Sequence, residues 1–115
     1  MQEISSGVAF WILDVWRRMS AQLQLVATDG TDTESTPASI WWTSPIDSII
    51  FVVNMGAAGQ NKEWRIPAKG SKFSFGVPHE SALSREFTKG IWLSQLLIEL
   101  PDGKTLLFAE RFVEP

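Results

Sequence analysis

The feature that most constrains this chain lies near its C-terminus, where Pro101-Asp102-Gly103-Lys104 separates two apolar stretches, Ile91 to Leu100 and Thr105 to Val113. Pro101 pre-sets the first corner of a type I turn, Asp102 suits the second, and Gly103 can adopt positive φ. Together they specify a hairpin with a three-residue loop and a G1 bulge. Pairing Leu100 with Lys104 then sets Ile98 opposite Leu106, Leu96 opposite Phe108 and Trp92 opposite Phe112. One face of the hairpin becomes almost wholly apolar. The other carries Leu93, Gln95, Leu97, Glu99, Thr105, Leu107, Ala109 and Arg111. A slip of one residue on one strand would mix the two sets, so this register is preferred.

The middle of the chain reads as more antiparallel strand. Asp47 to Val53 is β-branched and apolar, residues 54–61 are mostly turn formers with Gly56-Ala57-Ala58-Gly59 at their centre, and Glu63 to Ile66 resumes an extended pattern, which predicts a second hairpin. Pro67-Ala68-Lys69-Gly70 is a turn, and Ser71 to Phe75 alternates polar with aromatic residues, as a half-buried strand does. Residues 80–87 can form two turns of helix, ended by Gly90. Asp29 to Ser39 holds three acids, three Thr, two Ser and Pro37, and is expected to be an exposed loop. The N-terminal segment 8–26 is strand or helix. Val8, Trp11, Ile12, Val15, Trp16, Met19, Leu23 and Val26 share one helical face, yet the segment is rich in β-branched and aromatic residues. Strand is favoured, because the other strand edges need partners. The expectation is one domain over residues 1–115, mainly β, built as an antiparallel sandwich.

Composition narrows the chemistry. The chain of 115 residues has no Cys, no Tyr and one His, His79. Disulfides, thiolate metal sites and cysteine nucleophiles are therefore excluded, and general acid–base candidates reduce to one imidazole and the carboxylates. Neither Ser81 nor Ser84 beside His79 sits in a Gly-x-Ser-x-Gly elbow, and His79 reads as a loop or capping residue. Gly56 to Gly59 lacks the Lys-Ser/Thr of a phosphate loop. Asp29, Asp32 and Glu34 have the alternate spacing of a calcium loop, but Ile40 stands where its bidentate Glu belongs, so they read as solvated loop acids. No catalytic residue, metal or cofactor is expected.

The formal net charge of −3 gives no field toward nucleic acid or anionic lipid. No apolar run approaches the roughly 18 residues of a membrane span. Met1 to Gly7 carries Glu3 and no Lys or Arg, and Asp14 soon follows the run Val8 to Leu13, unlike a secretory leader. The expected location is the cytoplasm, or a virion-like particle assembled there.

Six Trp are the compositional anomaly. Trp11, Trp16 and Trp92 lie in apolar runs and read as core. Trp41 and Trp42 are adjacent, so in a strand they point to opposite faces, and Trp64 stands between Glu63 and Arg65 beside a basic stretch. An exposed indole suits sugar stacking, base stacking or a protein hot spot. Trp41, Trp42, Trp64, Arg65, Lys69 and Lys72 are therefore the candidate ligand or partner residues, with core packing the competing account of the tryptophans.

The C-terminal third, Leu83, Thr88-Lys89-Gly90-Ile91-Trp92, the strand to Leu100, Pro101-Asp102-Gly103-Lys104 and the run Leu106 to Val113 before Pro115, resembles small Ig-like β-sandwich domains of bacteriophage tail, neck and baseplate proteins. The resemblance covers about residues 80–115 and rests on hairpin chemistry common to many β proteins. It implies a structural role, in which the domain joins copies of itself or a larger particle, and it brings no catalytic residues. Two functions are expected from the sequence: a non-catalytic, oligomeric interaction domain, phage-derived or encoded on a mobile element, or a module binding a carbohydrate or small anion through exposed Trp.

Overall fold

The computed structural model describes residues 1–44, 48–55, 60–76 and 92–111. These residues are mainly β. In chain order they form β1 (Gln2–Ile4), α1 (Ser6–Met19), β2 (Leu23–Asp29), β3 (Asp32–Ser44), β4 (Ser48–Met55), β5 (Gln60–Pro67), β6 (Lys72–Gly76), β7 (Trp92–Glu99) and β8 (Thr105–Arg111). All pairings are antiparallel, in the order β1-β6-β7-β8-β2-β3-β4-β5. The described strands do not divide into the two facing sheets of an Ig-like sandwich. They make one sheet, and the layer packed on it is α1.

Chain connectivity forces that sheet to curl. β5 and β6 are consecutive in sequence but six strand spacings apart in the sheet, about 29 Å if it were flat. The link from Pro67 to Lys72 reaches at most about 17 Å. The two ends of the sheet must therefore approach each other. Ile66 of β5 and Phe73 of β6, both buried, accordingly meet in one core cluster with α1 residues Ala9, Ile12, Leu13 and Trp16. Leu23, Leu25, Leu96, Ile98, Leu106 and Phe108 complete the concave face.

Residues 8–19, where strand is favoured from the sequence, are helical. Ala9, Ile12, Leu13 and Trp16 follow the i, i+3, i+4, i+7 spacing and bury one stripe, which outweighs the modest helix propensity of the β-branched and aromatic residues among them. Both ends are capped. Ser5 Oγ accepts from the Val8 N–H at 3.2 Å, and Ser20 takes the left-handed conformation at φ 52° while the Ala21 N–H bonds back to the Trp16 carbonyl at 3.0 Å. Strand resumes at Leu23, as the alternation there requires.

The expected loop at Asp29 to Ser39 is a second correction. Apart from the turn around Gly30, at φ +64°, it is strand, with β2 and β3 paired from Asp29↔Asp32 to Leu23↔Ala38. The residues are polar because this end of the hairpin stands in water, and Thr33 and Thr36 are strand formers. Pro37 is tolerated because β4 pairs with β3 only from Ala38 onward, so among the described residues no strand pairs with the outer side of β3 before that point.

The C-terminal hairpin has the expected loop and register. Gly103 lies at φ +92°, its N–H bonds to the Leu100 carbonyl, and Ile98 faces Leu106 as Leu96 faces Phe108. An irregularity between Trp92 and Ser94 sets Trp92 opposite Arg111 instead of Phe112, which lies outside the described residues. The loop at residues 56–59, the helix proposed at 80–87 and His79 also lie outside them.

Candidate functional site

α1 covers only part of the concave face, and at the tip of the β2–β3 hairpin the face is open. Register determines which side chains line that opening. Ala27 pairs with Glu34 and with Leu106, and Asp29 pairs with Asp32, so these residues stand on the same face as buried Leu23 and Leu25. Curling brings Trp64 of β5 around to oppose them, half-buried and packed against the core cluster. The result is a groove of about 490 Å³, with Ala27, Leu106 and the Trp64 indole as apolar lining, Asp29, Asp32 and Glu34 as exposed carboxylates, and Lys104 beside them. Lys104 Nζ lies 3.7 Å from Asp102 Oδ2, which partly neutralises it. Thr28, between Ala27 and Asp29 in β2, contributes to the lining, but by alternation its side chain belongs to the opposite face, with Val26 and Leu107.

This arrangement can hold a solute. Among the described residues no group of three His, Cys, Asp or Glu is placed to bind a metal ion. The volume falls within the range of small-ligand sites, and the apolar lining with a few polar groups is their usual composition.

The structure disperses most of the residues singled out from the sequence. Trp64 lines the groove. Arg65, its neighbour in β5, belongs to the opposite face and is exposed; Lys69 is exposed in the turn after β5; Lys72 is exposed at the start of β6, its Nζ 3.8 Å from Glu3 Oε2. None of these three cations lines the groove. Trp41 and Trp42 sit where the register of β3 against β4 shifts, and their side chains lie outside what the structure describes. The groove acids were legible as a cluster, but only the pairing of Asp29 with Asp32 and Ala27 with Glu34 puts them on the concave side.

No protein-family model, curated protein or solved structure matches the chain.

The second feature is on α1. Trp11 is 64% exposed, flanked along the helix by exposed Val8 and Met19. The assignment of Trp11 and Trp16 alike to the core therefore holds only for Trp16, which is 3% exposed, donates its Nε1–H to Glu110 Oε1 at 3.2 Å and lies 6.4 Å from the Phe108 ring. The reason is angular. At about 100° per residue, positions 9, 12, 13 and 16 form one stripe and 8, 11, 15 and 19 a second beside it, and only the first reaches the sheet. Val15, half-buried, lies on the second stripe between Trp11 and Met19.

Proposed function

We propose that this is a non-catalytic protein-interaction domain that associates with copies of itself, and through them with a larger assembly, by the outer stripe of α1. The observation that supports the reading is Trp11, a large apolar side chain left mostly in water on a helix whose neighbouring stripe is core. Single exposed apolar residues are ordinary, but Val8, Trp11, half-buried Val15 and Met19 follow one another along one line of the helix, and such patches mark contact surfaces. Trp is also the residue type most enriched among interface hot spots. Removing the remaining ~160 Å² of the Trp11 surface from water would contribute up to about 4 kcal/mol to association. The scaffold role implied by the resemblance to phage structural domains is of the same kind, in the cytoplasm or in a particle assembled there. The described residues contain no helix long and apolar enough to cross a membrane.

Light scattering coupled to gel filtration tests this reading. The parent protein is expected to be oligomeric at high micromolar concentration, and Trp11→Ser monomeric with an unchanged circular dichroism spectrum. A parent protein that stays monomeric over that range sinks the proposal.

A second reading, a small-ligand module, draws its support from the groove beside Trp64. Three carboxylates against one ammonium make that groove unfavourable for the anionic ligand expected from the basic stretch.

A further inference from the structure

We infer that the groove at the open end of the curled sheet binds a protonated amine or guanidinium carried on an apolar stem, as an alkylamine or a Lys or Arg side chain presents. The inference rests on the ligand-binding reading of this groove and is independent of association through α1.

Three observations lead to it. Asp29, Asp32 and Glu34 line one opening because strand register gives them one face. The single cation in the lining, Lys104, is held near Asp102. Ala27, Leu106 and Trp64 supply the apolar part of the wall, and an indole attracts a cation besides offering contact to a methylene chain. A bare metal ion does not fit, since no three carboxylates are close enough to share one. An anion would meet the carboxylates at the rim. An ion with an apolar stem uses both parts of the site at once: the stem replaces water against Leu106 and Trp64 while the charged head stays at the carboxylate rim.

The test is titration of the isotope-labelled full chain with n-butylammonium, followed by the Trp64 indole N–H resonance and the Thr28 amide. Trp64→Phe assigns the indole signal, and n-butanol and butyrate serve as neutral and anionic probes of equal stem length. Saturable shifts at millimolar n-butylammonium are expected, with much weaker responses to n-butanol and none to butyrate. Asp32→Asn combined with Glu34→Gln changes only exposed side chains and should weaken binding roughly fivefold to tenfold, as for two partly screened ion contacts. Added salt should weaken it as well. A Lys dipeptide with blocked termini separates the sources: tighter binding than n-butylammonium assigns a protein segment, and weaker or equal binding a free amine. Equal response to n-butanol, no shift at tens of millimolar amine, or unchanged affinity in the double variant would overturn the inference. Trp11→Ser should bind n-butylammonium like the parent protein, so failure of either reading is visible without the other.

Discussion

Two tryptophans five residues apart on one helix provide the most direct check of how α1 sits. Trp16 leaves 3% of its surface in water and Trp11 leaves 64%. With about 250 Å² per side chain, Trp16 hides roughly 240 Å² and Trp11 roughly 90 Å². The difference, about 150 Å², corresponds to about 4 kcal/mol at about 25 cal/mol per Å². Trp16→Ala should therefore cost ~3–5 kcal/mol, the usual range for deleting a core aromatic. Its indole hydrogen bond to Glu110 is lost too, but that carboxylate also accepts from Ser94 Oγ at 3.1 Å and is not orphaned. For Trp11→Ala the buried area sets an upper bound of about 2 kcal/mol, and the better helix propensity of Ala returns about 0.5 kcal/mol. Urea unfolding followed by far-ultraviolet circular dichroism, at a concentration where the chain is monomeric, reads both. The midpoint should fall by about 2 M for Trp16→Ala and by well under 1 M for Trp11→Ala. Equal losses would mean that α1 does not present the residue 8–11–19 line to water, and the association surface proposed for it would be lost.

Two further substitutions probe local structure by the same assay. Ser5→Ala removes the hydroxyl that caps the Val8 N–H and should cost about 1 kcal/mol, with Ser5→Thr close to neutral. Gly70 and Gly30 both have positive φ, but a Cβ at Gly70 would lie 3.3 Å from Pro101 Cγ, whereas one at Gly30 meets nothing within 4 Å. Gly70→Ala should therefore destabilise by more than the ~1–2 kcal/mol of a left-handed L-residue, and Gly30→Ala by no more than that; the reverse order would refute the contact between the two turns.

The parts of the fold that were legible in the sequence are those where local chemistry and the final structure agree. Pro101-Asp102-Gly103-Lys104 specified its turn because each residue suits one corner, and from the turn the register of Leu96, Ile98, Leu106 and Phe108 followed. Legibility ended where tertiary contacts decide. The segment after Ser5 carries a capping residue and a helical apolar period, but it is equally rich in strand formers, and only the curled sheet supplies the surface that rewards its helical stripe. Asp29 to Ser39 looked like a loop because nothing apolar marks it. It is strand because it pairs along its length with β2, and its acids face a groove because of that pairing. Trp64 was identified as a candidate for its unusual setting, and the structure gives it a different company from the cations nearest in sequence: alternation puts Arg65 on the other face.

One quantity underlies both candidate surfaces, the mismatch between helix and sheet. A helix of 14 residues is about 21 Å long and about 10 Å across, too small to cover eight strands laid flat. Curling reduces the area to be covered, yet among the described residues it leaves the hairpin end open as the groove and the outer side of α1 without a layer above it. What holds the curl is therefore the question on which both surfaces depend. It is either the short link at residues 68–71 or the core contact in which Ile66 and Phe73 meet α1. These alternatives separate on lengthening the link. If the core holds the sheet, inserting Gly-Ser-Gly-Ser after Lys69 doubles the link at a cost of about 0.6 kcal/mol from loop closure, plus whatever the contact of Gly70 with Pro101 contributes. The buried contacts of Ile66 and Phe73, each 2% exposed or less, favour that outcome. Loss of several kcal/mol, or loss of the Trp64 indole shift with n-butylammonium in an otherwise folded chain, would place the constraint in the link and make the groove a product of its length.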